Sequence, residues 1–293
     1  MKNIYPNPVC VGADPFVLRV GDTYYHYATN AADGYHVLVS TDLIHWDDRG
    51  YCLHKDDVQG EKWFWAPEIL ALDGRYYMVY TAEEHLGLAI ADDPTGPFRQ
   101  TKKGWLSERH AIDGHLEIGA DGCVYLYYVR FDGGNVIYGT KLAETVADFV
   151  ALTEAGELQI GDEVRLLAAE EPWETHMGKV AEGPFILQHG GKYYLTYSAN
   201  DYQSPLYAIG YAISDTPLGT YRKYAGNPIL VGHGAIVGTG HHSFTTTPDG
   251  KELLCVYHCH NSVEQIHPRM TCVAPAAFVP AEDGVDVLRI YGE

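Results

Sequence analysis

The chain has 293 residues, of which 46% are hydrophobic, and a formal net charge of −19. That acidic excess repels nucleic-acid phosphates and anionic membrane surfaces, and no stretch approaches the ~18 apolar residues of a membrane span. Nucleic acid and membrane are therefore not expected as partners, whereas a neutral carbohydrate is compatible with this charge.

The first residues, Met1-Lys-Asn-Ile-Tyr-Pro-Asn-Pro, lack the apolar run of a signal peptide. The cysteines Cys10, Cys52, Cys123, Cys255, Cys259 and Cys272 are scattered. They read as buried free thiols in a reducing compartment, so a cytoplasmic location is expected. Tyr is frequent, at 23 against 8 Phe, which suits half-buried strands with a polar tip at a wet edge.

One plan recurs five times along the chain. A polar residue precedes a short apolar run, a Gly turn follows, and an aromatic strand comes next. Asp14-Pro-Phe-Val-Leu leads to Gly21 and Tyr24-Tyr25. Glu68-Ile-Leu-Ala-Leu leads to Gly74 and Tyr76-Tyr77. Asp113-Gly-His-Leu leads to Gly122 and Tyr125. Glu182-Gly-Pro-Phe leads to Gly190-Gly191 and Tyr193-Tyr194. His241-His-Ser-Phe leads to Gly250 and Leu253. Each unit opens as a β-hairpin. The turn glycines 21, 74, 122, 191 and 250 lie 53, 48, 69 and 59 residues apart, about the length of a four-stranded sheet with its turns. Such spacing predicts an all-β, five-bladed β-propeller, with residues 1–293 forming one catalytic domain.

The polar residue precedes its turn glycine by seven residues for Asp14, six for Glu68, and nine for Asp113, Glu182 and His241. If the first strand of each blade lines the channel, all five polar groups open onto one mouth.

Between these points, Trp63-Phe64-Trp65 opens the second unit. Trp65 serves either to stack on a sugar or to pack between blades, and Phe64 is expected in the core. Residues 140–149 carry a helical pattern and are expected as a surface turn. Residues 154–171 are acidic and are expected as a solvated loop over the mouth. In the last unit, strand alternation puts His258 and His260 on one face, a pair that a metal could use. Arg269 is a lone cation able to reach the carboxylates or a substrate hydroxyl.

Two carboxyl groups across a pocket support glycosidic cleavage. One protonates the leaving oxygen and the other activates water, which for inversion needs a gap of roughly 6.5–9.5 Å. A third carboxyl near the acid raises its pKa. Position in the chain does not distribute these three jobs among Asp14, Asp113 and Glu182.

The set Ala13-Asp14-Pro15-Phe16, Ile112-Asp113-Gly114 and Ala181-Glu182-Gly183-Pro184 resembles glycoside hydrolase family 43, over almost the whole chain. The resemblance implies an inverting five-bladed propeller, with Asp14 as general base, Asp113 as pKa modulator and orienter, and Glu182 as general acid. Trp65-Ala-Pro67 resembles the family's pocket aromatic segment. Gly240-His241 resembles its axial histidine, which in some members holds a structural Ca2+ or a water cluster. Arg269 fits a substrate-contacting arginine, and Glu68 is carried as a further substrate-binding candidate. No cofactor is required for the implied chemistry.

The implied partner is a pentose-containing oligosaccharide or polysaccharide. The segment Ser198-Ala-Asn200-Asp-Tyr202 resembles exo-acting arabinofuranosidases, so release of terminal α-L-arabinofuranose is expected. β-D-Xylosidase or dual activity, endo-arabinanase activity and a non-catalytic sugar-binding propeller are the alternatives. A retaining fructan hydrolase would carry Asn-Asp-Pro and Arg-Asp-Pro motifs, which the chain lacks.

Overall fold

The computed structural model describes residues 2–282 and 284–293. A short first strand, β1 (Cys10–Val11), precedes five antiparallel blades. Blade one is β2 (Ala13–Val20), β3 (Thr23–Thr29), β4 (Gly34–Ser40) and β5 (Asp47–His54). Blade two is β6 (Trp65–Leu72), β7 (Arg75–Ala82) and β8 (His85–Ala91). Blade three is β9 (Ile112–Ile118), β10 (Val124–Phe131), β11 (Asn135–Ala143) and, after helix α1 (Val146–Ala155), β12 (Glu163–Ala168). Blade four is β13 (Ala181–His189), β14 (Lys192–Ala199), β15 (Ala208–Ser214) and β16 (Arg222–Lys223). Blade five is β17 (Gly240–Thr246), β18 (Leu253–Cys259) and β19 (Met270–Val279), with β20 (Val287–Ile290) beside it.

The first strands β2, β6, β9, β13 and β17 touch one another in a closed cycle, so they line the axis. The N-terminal strand β1 closes the ring by joining the blade-five sheet. Cys10 and Val11 pair with Thr271 and Met270 at the start of β19, while β20 pairs with its far half. The five turn glycines all sit at positive φ, from 60° to 81°, where only Gly is unstrained.

Tyrosines join the blades. The Tyr35 hydroxyl of blade one donates to the carbonyls of Trp65 and Thr81 in blade two, at 2.9 and 3.0 Å. Tyr127 of blade three donates to the Pro217 carbonyl, in the connection between β15 and β16 of blade four, at 3.0 Å. Each ring fills interblade space while its hydroxyl satisfies a neighbour's carbonyl, a net contribution of about 1 kcal/mol per bond.

Residues 140–171 differ from expectation. Thr140 lies inside β11, and the helix begins only at Val146. Thr145 caps it by accepting the Asp148 N–H, and Gly156 ends it at φ 65°. Phe149 is buried against Tyr77. The acidic stretch is no lid: Glu163–Ala168 is the outer strand of blade three. Its charges hold structure. Glu163 binds Arg130 and Arg109; just past the stretch, the fully buried Glu174 accepts from Tyr197 and Lys223, each at 2.5 Å. No helix among the described residues is long and apolar enough to cross a membrane.

Candidate active site

Every inner strand carries the same irregularity. In blade one Ala13 pairs with Thr29 and Phe16 with Tyr27, so three steps on β2 span two on β3. The count recurs at Trp65 to Glu68, Ile112 to His115, Glu182 to Phe185 and Gly240 to Ser243. A bulge of this kind re-aims the side chain of its extra residue. The residue after the first pair stands at positive φ in all five blades: Asp14 (52°), Ala66 (43°), Asp113 (57°), Gly183 (54°) and His241 (42°).

Asp14, Asp113 and His241 are therefore structural equivalents. Glu182 comes one residue earlier in its bulge, and Glu68 two residues later. The five polar residues do not share one position, because turn lengths differ between blades and the distance to the turn glycine does not measure depth along the strand. Blade two places Ala66 at the position held by Asp14.

The bulges open into one pocket of about 890 Å³, whose lining includes Asp14, Asp113, Glu182, His241, Trp65 and Arg269. Glu68 is not part of that lining. It lies deeper, buried, with Oε2 2.6 Å from His115 Nδ1. Burial raises its carboxyl, and His115 opposes that rise.

Asp14 is held by cations and donors. Arg269 donates to both its oxygens, at 2.6 and 3.2 Å, and Thr29 donates at 2.7 Å. The Nδ1 atoms of His241 and His258 each lie 3.3 Å from Oδ1. Burial alone would raise this carboxyl, but Arg269, then His241 and His258, override it and hold it well below the ordinary value. The Arg269 charge is permanent.

Glu182 has the opposite surroundings. Burial pushes it up to about 7, and the charge of Asp14 adds to the rise. Hydrogen bonds from Tyr207 to Oε1 and from Asn135 to Oε2, both at 2.8 Å, work against it. Asp113 is also raised well above the ordinary value, first by burial and then by Glu182 and Asp14. Asp113 and Glu182 therefore titrate as a pair. The Asp113 side chain is also tied to the backbone next to Glu182, since its Oδ2 accepts the Gly183 N–H at 3.2 Å.

Trp65 lines the pocket and stacks on Trp63 at 6.0 Å and 14°. Phe64 is core, packed edge-on against Tyr35. Arg269 lies 4.5 Å over the Tyr202 ring. His258 and His260 separate: His258 faces Asp14, and His260 bonds the Tyr202 carbonyl at 2.8 Å.

The Ca2+ expectation at His241 meets a poor donor set. Calcium takes 6–8 oxygen ligands, whereas the His241 imidazole is turned to Asp14. Among the described residues no group of three or more His, Cys, Asp or Glu side chains is arranged for a metal. The residues do not fit the ion.

Sequence reading missed Thr29, Asn135 and Tyr207, and took His258 only as half of a metal pair. Asn135 follows Gly133-Gly134 and reads as a turn residue. Tyr207 is one tyrosine among 23. Gly240 carried the one usable signal for it, since a Cβ there would meet the Tyr207 ring at 2.1 Å.

The family model for glycosyl hydrolases family 43 matches residues 5–282. The chain belongs to this family. It is a glycoside hydrolase. A crystal structure named as an endo-1,4-β-xylanase from Bacteroides thetaiotaomicron is 36% identical, with a TM-score of 0.88 over 99% of this chain and 97% of that one. A β-D-galactofuranosidase of Aspergillus niger is 26% identical over 91% of this chain and 80% of its own length. An extracellular exo-α-(1→5)-L-arabinofuranosidase of Streptomyces avermitilis is 26% identical over 85% of this chain and 54% of its own length. Family 43 thus joins these chains across several sugar specificities.

Proposed function

We propose that the protein is an inverting, exo-acting α-L-arabinofuranosidase that releases terminal arabinofuranose from arabinan or arabinoxylan fragments. One observation carries the catalytic part: a single pocket holds one carboxyl kept ionised, Asp14, and one pushed up to about 7, Glu182. Such divergence supports Asp14 as base and a raised partner as acid; Asp113 is raised as well, and the family resemblance at Ala181-Glu182-Gly183 favours Glu182 as that acid.

Glu182 donates its proton to the glycosidic oxygen as the bond to the anomeric carbon breaks. Asp14 takes a proton from the water that attacks the opposite face of the sugar. Asp113 fixes the backbone beside Glu182 and shares the proton load of the pair. Each proton transfer is thus assigned to a side chain of this chain. Trp65 offers an apolar wall to the ring of the terminal sugar.

The sugar assignment rests on the similarity to a protein named exo-arabinofuranosidase. A second reading, β-D-xylosidase, is favoured by a relative from Xylanibacter ruminicola named β-xylosidase, 27% identical over 67% of this chain and 69% of its own. Hydrolysis of 4-nitrophenyl α-L-arabinofuranoside and β-D-xylopyranoside, with the first-formed anomer followed by proton NMR, tests both parts. Faster turnover of the arabinoside with an inverted product is expected. A product that retains configuration overturns the mechanism, and turnover of the xyloside alone selects the second reading.

A further inference from the structure

Each bulge takes the N–H of its extra residue out of the ladder of its own blade, and a buried N–H needs a partner elsewhere. The preceding blade supplies that partner around the whole ring. The Asp14 N–H reaches His258 Nδ1 of blade five at 3.2 Å. The Ala66 N–H reaches Thr29 Oγ1 of blade one at 3.0 Å, and the Asp113 N–H reaches Thr81 Oγ1 of blade two at 3.2 Å. The His241 N–H reaches Ser198 Oγ of blade four at 2.7 Å.

Strand register makes these four acceptors one position. Thr29, Thr81, Ser198 and His258 sit on the second strands, paired with Ala13, Trp65, Glu182 and Gly240, the residue just before each bulge. In blade three the same position, opposite Ile112, is Val129, whose side chain has no acceptor. There the Asp113 carboxyl crosses to the Gly183 N–H instead. Four of the five bulge residues are not glycine, yet stand at φ between 42° and 57°. Such a backbone persists only where its surroundings over-determine it. Asp14, Asp113 and His241 line the pocket from these bulges, so their aim depends on what holds the bulge.

We propose that Thr81 and Ser198 are positioning residues of the reaction. Each holds, through one backbone N–H of the next blade, the bulge that aims a pocket side chain: Thr81 aims Asp113, and Ser198 aims His241. Asp113 in turn holds Gly183 beside Glu182, and His241 faces Asp14. The two hydroxyls therefore act on opposite ends of the reaction, Thr81 on the acid and Ser198 on the base. This rests on the roles of Asp14, Asp113 and Glu182 argued above, and not on which pentose is released.

The test measures kcat and KM on whichever 4-nitrophenyl pentoside wild type turns over faster. Thr81→Val and Ser198→Ala are each expected to lower kcat about tenfold while KM stays within about twofold, the pattern of misaimed catalytic groups rather than lost binding. Thr81→Ser and Ser198→Thr keep the hydroxyl and are expected to stay within about threefold of wild type in kcat. Thr140 is the control, equally buried and bonded to the Asp162 carbonyl at 2.7 Å, away from the bulges. Thr140→Val removes the same kind of bond and is expected to leave kcat unchanged. Should one of the two positioning variants fail to fold, the other decides. Unchanged kcat in a folded variant, a loss that the hydroxyl-bearing variant does not restore, or an equal loss in Thr140→Val overturns the proposal while leaving the pentosidase reading intact. A wild-type enzyme that turns over neither pentoside overturns both.

Discussion

Arg269 forks onto both oxygens of Asp14, at 2.6 and 3.2 Å, inside a pocket that also holds Asp113 and Glu182. The pair keeps one carboxylate charged beside two that burial drives toward the neutral form. Replacing the cation should therefore move the base. In Arg269→Gln the Asp14 carboxyl rises, so the acid limb of the kcat/KM profile shifts to higher pH. The stability contribution of the pair has a matching sign. A depressed carboxyl stabilises the fold fully above its ordinary value near 3.8 and loses that contribution as pH falls. The gap in Tm between wild type and variant should thus be complete at neutral pH and shrink in acid. An unmoved acid limb would show that Arg269 does not set the charge of Asp14.

Tyr207 reaches the other carboxyl. Its hydroxyl donates to Glu182 at 2.8 Å and its ring stacks on His258 at 5.6 Å. That hydrogen bond lowers the Glu182 carboxyl, so Tyr207→Phe should raise it. The alkaline limb of the kcat profile then moves up, with the fold intact because the ring stays. Gly240→Ala acts on the same residue by collision, because the new Cβ would lie 2.1 Å from the Tyr207 ring. It should cost about 1–3 kcal/mol of stability by overpacking, read as a lower Tm, and should reduce kcat.

Glu182→Gln should abolish hydrolysis of substrates whose leaving group needs a proton, and should stabilise the fold. Glu182 is raised from its ordinary value of 4.5 to about 7. The folded state therefore holds this proton more tightly than the unfolded state does. The stability associated with it is complete below about 4.5, declines as pH rises, and is gone above about 7. A neutral amide does not titrate. Relative to wild type, the variant should gain nothing in acid and on the order of 3 kcal/mol near neutrality, measured by denaturant melts at pH 4 and pH 7.5.

Glu68 marks the boundary of the site. Because it bonds His115 below the pocket and does not line it, Glu68→Gln should keep kcat/KM on a pentoside within about threefold. Loss of the charge-assisted bond should lower stability by roughly 1–3 kcal/mol. A large catalytic loss with unchanged stability would return Glu68 to the substrate.

The architecture was legible because five hairpins repeat the same turn glycine and aromatic strand, and each turn glycine takes the positive φ that its position needs. The depth of each polar residue was not. Asp14 and Glu68 look alike in spacing, but a bulge separates their levels, and bulges leave no composition signature. Residues 154–171 misled for a related reason: Glu163 looks like surface charge until its partners Arg130 and Arg109 arrive from distant positions. Asn135 and Tyr207 stayed hidden because their roles exist only once blades three and four meet around Glu182.

The division of labour between Glu182 and Asp14 is tested most directly by leaving-group dependence. Glu182→Ala and Asp14→Ala are assayed on an arabinobiose or xylobiose, whose leaving group needs a proton, and on the pentosyl fluoride, whose leaving group does not. Glu182→Ala should lose disaccharide hydrolysis by a factor of about 100 or more while retaining most of its fluoride hydrolysis, and Asp14→Ala should lose both. Retention of fluoride hydrolysis by Asp14→Ala, with its loss in Glu182→Ala, would contradict the assignment.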